Sequence, residues 1–110
     1  MKSYISDSLS TQLFCAGAAD NPEVANYDRP VIVRFEVASA EWHIVHAELI
    51  NGATMLFGLC DLGLGFPELG YLPASELDQF SGVITDTECD LTLGEAMSSK
   101  GITWHIKESA

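Results

Sequence analysis

The chain predicts an α+β domain, a mostly antiparallel β-meander packed against one or two short α-helices, and three features predict it. Val31, Val33, Phe35 and Val37 alternate with Ile32, Arg34 and Glu36, the pattern of a strand with one buried face. Asn51-Gly52 stands between two apolar runs, and both residues tolerate the positive φ that a two-residue type I′ hairpin turn demands. Near the start, Ile5, Leu9, Leu13 and Ala16 recur at helical spacing.

In chain order, Ser6 to Ala19 begins with capping residues and reads as a short amphipathic helix weakened at its end by Gly17. Asp20 to Asp28 reads as a loop, because Asn21 precedes Pro22 and is pushed away from helix. The first strand starts at Pro30 and ends at a turn formed by Ala38, Ser39 and Ala40. Glu41 to Ile50 is the second strand. Its alternation is imperfect, since Trp42 and Ile44 point one way and Val45, Ala47 and Leu49 the other, so a bulge or burial on both faces is expected.

Thr54 to Cys60 follows the hairpin turn as the third strand. Asp61 to Tyr71, holding Gly63, Gly65, Pro67 and Gly70, reads as a structured loop. Pro73 opens a short helix reaching Phe80, with Leu77 and Phe80 as core contacts and Glu76 near its N-terminal dipole. Asp90 to Leu93 reads as a further strand, and Ile102, Trp104 and Ile106 alternate as a last one. The expected core includes Trp42, Phe57, Leu59, Leu77 and Trp104.

At 110 residues, residues 1–110 read as one domain. With 47% hydrophobic residues the chain has the apolar material that disordered acidic chains lack, despite a net charge of −11. No apolar run approaches the ~20 residues that cross a bilayer, and Met1 to Ser10 has no apolar signal core. A soluble cytoplasmic protein is expected. Cys15, Cys60 and Cys89 are scattered without a C-x-x-C pair, and read as reduced thiols.

Charge is the dominant functional signal. Between Arg34 and Lys100 there is no lysine or arginine, yet eleven carboxylates occur there. Such a surface repels nucleic acid and anionic membrane and steers the protein toward basic partners. Asp61, Glu68, Glu76, Asp78, Asp86, Glu88, Asp90 and Glu95 are the candidate partner-binding residues.

Signals for chemistry are weak. The glycines after Asp61 lack the lysine of a phosphate cradle, and Asp61 and Glu68 flank them. His43 and His46, three apart on a strand, face opposite sides unless a bulge intervenes. Cys60 beside Asp61 lacks any local activation signature, and the pairing of Glu88 with Asp90 is common in so acidic a chain. No cofactor, metal or catalytic residue is expected.

The run Phe57-Gly58-Leu59-Cys60-Asp61-Leu62-Gly63-Leu64-Gly65-Phe66-Pro67-Glu68-Leu69-Gly70-Tyr71 resembles the hallmark of a family of small bacterial, plasmid and phage proteins known only as a domain of unknown function. The likeness extends to Pro30 to Phe35, Glu41-Trp42, Ala47-Glu48-Leu49, Ser75-Glu76-Leu77, and Glu88 with Asp90-Leu91. It implies a small mixed domain in a mobile-element setting and supplies no catalytic residues. Taken with the charge, it suggests a non-enzymatic acidic binding protein that occupies a basic groove of a host defence complex, of the anti-CRISPR or anti-restriction type. The alternative is a small hydrolase or ligand-binding enzyme working through Asp61 to Tyr71. An apolar tip at Leu64 and Phe66 is a further candidate contact.

Overall fold

The computed structural model describes residues 4–18, 28–63, 65 and 67–101. The expected strand at Ile102 to Ile106, Trp104 with it, and the expected apolar tip at Leu64 and Phe66 lie outside the described residues. Strands β1 (Val33–Val37), β2 (Ala40–Ile50), β3 (Ala53–Asp61) and β4 (Glu68–Pro73) form an antiparallel meander. A fifth strand, β5 (Ile84–Asp86), pairs antiparallel with the free side of β1, so the order is β4-β3-β2-β1-β5. Helices α1 (Asp7–Ala18), α2 (Ala74–Leu77) and α3 (Leu93–Ser99) complete an α+β fold.

The β2–β3 hairpin closes as its turn chemistry requires. Asn51 adopts φ 53° and Gly52 φ 80°, the left-handed values of a type I′ turn, and Ile50 pairs with Ala53 across it. Further down, the ladder shifts register between Ile44 and His46, a bulge being one of the two outcomes expected from the broken alternation of β2. His43 therefore stands opposite Leu59 and His46 opposite Phe57, two residues apart on β3 and so on one face. Without the bulge they would face opposite sides.

Both faces of the sheet are covered, which is why β2 is buried continuously from Trp42 to Ala47. On one side α1 lays Leu9 and Leu13 against Val33, Phe35, Trp42, Ile44, Ala47, Leu56, Leu72 and Leu77. Ser6 starts that helix, its Oγ accepting the backbone N–H of Leu9 at 3.1 Å. Gly17 serves packing rather than fraying, since a Cβ there would stand 2.4 Å from the carbonyl oxygen of Ala47. On the opposite side α3 seats Leu93, Ala96 and Met97 on Val31, Val45 and Leu59.

Several expectations are corrected. Glu68–Pro73 is a strand rather than loop: it lies at the sheet edge, where Gly70 and a terminal Pro73 are tolerated because only one side of the strand must pair. Asp90 to Leu93 is not a strand. Thr92 forms a single bridge to Pro30 and then caps α3. Helix α2 is shorter than expected, because the chain tightens after Leu77 into i→i−3 bonds from Gln79 to Glu76 and from Phe80 to Leu77. Phe80 is thereby turned out to 42% exposure, with only its ring near Trp42 at 5.9 Å. Trp42, Leu59 and Leu77 are buried as expected, whereas Phe57 is half-buried.

Candidate functional site

Six of the eight candidate acids fall into two groups toward opposite edges of the sheet, while Asp61 ends the interior strand β3 and Glu95 lies in the first turn of α3. Glu68 opens β4 and Asp86 closes β5, four inter-strand steps apart, or roughly 19 Å. Glu68 and Glu76 both act on the Cys60 thiol through space, so they share one locality. Asp78 follows them at the end of α2. At the far edge, Asp86 is followed by exposed Glu88 and Asp90, and Asp86 Oδ1 accepts the backbone N–H of Glu88 at 2.9 Å.

Three of the eight already have internal tasks. Glu95 Oε1 accepts the Thr92 backbone N–H at 2.8 Å while the Thr92 hydroxyl accepts that of Glu95 at 3.1 Å, a reciprocal capping box. Asp86 forms an ion pair with Arg34 at 3.4 Å. Asp61 accepts Lys100 Nζ at 2.9 Å and the Gly63 backbone N–H at 2.9 Å. Lys100, then Gly63, hold the Asp61 carboxyl below the usual aspartate range.

Every lysine and arginine side chain among the described residues is engaged within the fold. Arg29 donates from Nη1 to the carbonyl of Ala16 at 3.0 Å, near the end of α1. Arg34 donates from Nη1 to Glu36 and Glu41, each at 2.8 Å. Lys100 binds Glu41 and Asp61. By contrast, Glu68, Glu76, Asp78, Glu88 and Asp90 are exposed, and none of them forms an ion pair among the described residues. The charge left facing solvent there is negative.

Among the described residues, the thiol, the histidines and the neighbouring carboxylates are placed as follows. Cys60 packs against the core on the α1 side, and burial pushes its thiol up to about 11, leaving it protonated near neutrality. Asp61, the next residue, alternates to the opposite face. His43 is 4% exposed, and burial lowers its pKa, Glu41 and Asp61 opposing that shift and Lys100 and Arg34 adding to it. No group of three or more His, Cys, Asp or Glu side chains is placed to hold a metal ion among the described residues.

One constellation escaped the sequence reading. His46, Phe57 and Tyr71 are direct cross-strand partners on β2, β3 and β4, and their rings form a row: His46 stacks on Phe57 with centroids 5.2 Å apart, and Phe57 tilts against Tyr71 at 5.0 Å. Glu48 lies on the same face, two residues beyond His46. Its Oε2 accepts the Tyr71 hydroxyl at 2.8 Å and His46 Nε2 at 3.0 Å. The Tyr71 hydroxyl, then His46, hold the Glu48 carboxyl below its usual range. The period-two spacing of His46 and Glu48 was readable; the partnership with Tyr71 across 23 residues was not.

A family model described as "Protein of unknown function (DUF2958)" matches residues 4–97. No curated protein and no solved structure matches the chain.

Proposed function

The chain belongs to this family of proteins of unknown function, and from that premise we propose that it is a non-enzymatic acidic binding protein of a mobile genetic element. In this reading it works in the cytoplasm, binds neither nucleic acid nor membrane, and inhibits a host nucleic-acid-binding defence complex of the CRISPR or restriction type by occupying its basic groove. The mobile-element setting is supported by the resemblance of Phe57 to Tyr71 to plasmid- and phage-borne proteins.

The observation that carries the reading is the absence of a free cation among the described residues. Arg29, Arg34 and Lys100 are all turned inward onto the fold's own carbonyl and carboxylate oxygens. Among the described residues, no lysine or arginine therefore offsets the exposed acids of the two edges toward an approaching molecule. A field of one sign accelerates encounter with a basic surface and repels competing anions. The protonated Cys60 thiol and the separation of Cys60 from Asp61 weigh against a hydrolase built on that pair.

The test is plasmid transformation into restricting and CRISPR-competent hosts with and without the chain. Relief of interference is expected, and it should be lost when Glu68, Glu76, Asp78, Glu88 and Asp90 are changed to Gln or Asn. Unrelieved interference in both hosts, with the folded chain present, overturns the proposal.

A further inference from the structure

We propose that the exposed ring of Tyr71, with Phe57 beside it and the Glu48 carboxylate on the same face, receives an arginine side chain of the protein partner. The proposal rests on the reading above that the partner is basic, and it names the contact point and the residue type that would fill it.

Three features of the surface favour that occupant. Tyr71 lies on an edge strand with 45% of its surface exposed, so a guanidinium has access to the ring. Glu48 is fixed in place, because both the Tyr71 hydroxyl and His46 Nε2 donate to Oε2, and Oε1 has no partner among the described residues. His46 is itself 8% exposed and stacked on Phe57, so the carboxylate is anchored to a buried ring rather than to a mobile surface group.

A planar cation is the complement of an anchored carboxylate beside aromatic faces. Arginine can stack its guanidinium on the ring while an N–H donates to the carboxylate, whereas the lysine ammonium is a compact, strongly hydrated point charge. Tyrosine and arginine are also the residues that concentrate binding energy at interface centres. The charge balance agrees, since no lysine or arginine among the described residues pairs with Glu48 and the chain as a whole carries −11. A second copy of the chain would bring like charge to this face.

The experiment is an NMR titration of the full chain with N-acetyl-arginine methylamide and, in parallel, its lysine analogue. Saturable ring-current shifts centred on Tyr71 and Phe57 are expected, with arginine favoured about three- to fivefold. Glu48→Gln and Tyr71→Leu should each remove the preference, and Tyr71→Phe, which keeps the ring, should retain arginine binding in weakened form. Equal response to the two analogues, or shifts unchanged in Glu48→Gln, overturns the site. The two readings fail separately. Arginine binding without relief of interference removes the functional proposal alone, and relief undiminished in folded Glu48→Gln and Tyr71→Leu chains removes this one alone.

Discussion

Glu41 takes the ammonium of Lys100, 59 residues further along the chain, on its Oε1. Its other oxygen holds Arg34 Nη1 at 2.8 Å. The two cations that bracket the base-free stretch thus meet on one carboxylate, and Lys100, which also binds Asp61 on β3, pins the end of α3 to the sheet.

Removing that cation tests the clasp. Lys100→Met should lower stability by about 1 kcal/mol at low ionic strength, and by less in 1 M salt, because the groups are only partly buried. Urea denaturation at the two salt concentrations measures it.

The same clasp sets an acid limit. Lys100 depresses the Glu41 and Asp61 carboxyls below their ordinary values. A depressed folded-state pKa gives stability that is present above the unfolded pKa and lost as pH falls through the folded one. Stability should therefore fall from about pH 4.5 downward, and Lys100→Met should flatten that slope in denaturant midpoints taken across pH.

Gly58 and Gly70 are direct partners across β3 and β4, yet they should respond oppositely to alanine. A Cβ at Gly58 would stand 1.8 Å from the carbonyl oxygen of His43 at the bulge, whereas one at Gly70 meets nothing within 4 Å. Gly58→Ala should cost ~3 kcal/mol or more and Gly70→Ala less than about 0.5 kcal/mol, read from thermal or urea unfolding.

The cap of α3 is testable in isolation. Thr92→Ala removes the hydroxyl that accepts the Glu95 N–H and should cost ~1 kcal/mol. Hydrogen exchange should accelerate over Leu93–Ser99 ahead of the central strands.

Charge reversal should separate structural from free acids. Asp86→Lys places a cation beside Arg34, its present ion-pair partner, and should cost ~1 to 2 kcal/mol. Glu88→Lys with Asp90→Lys should leave the unfolding midpoint nearly unchanged while weakening binding to a basic partner. That binding should also weaken steeply with salt.

Much of the frame was legible because it depends on local chemistry. The positive φ of Asn51 and Gly52, the period-two run ending at Val37 and the helical spacing of Leu9 and Leu13 each constrain a few neighbouring residues. Even the bulge in β2 was signalled by alternation that broke between Ile44 and His46. The capping box at Thr92 and Glu95 was equally local, and reading Asp90 to Leu93 as a strand passed over it. Edge strand β4 was hidden by its Gly70 and Pro73, which punctuate a chain unless a neighbour supplies the ladder.

What sequence alone determined is therefore the meander, its hairpin turn and the sign of its charge, since backbone preference, periodicity and composition are properties of short stretches. Which acids remain free was decided only by tertiary structure. Arg34 reaches Glu36, Glu41 and Asp86, Lys100 reaches Glu41 and Asp61, and Tyr71 finds Glu48, because strand register and the docking of α3 bring distant residues within a few ångströms. Ion pairing and ring contact depend on that separation in space, and the separation is a product of the packed core.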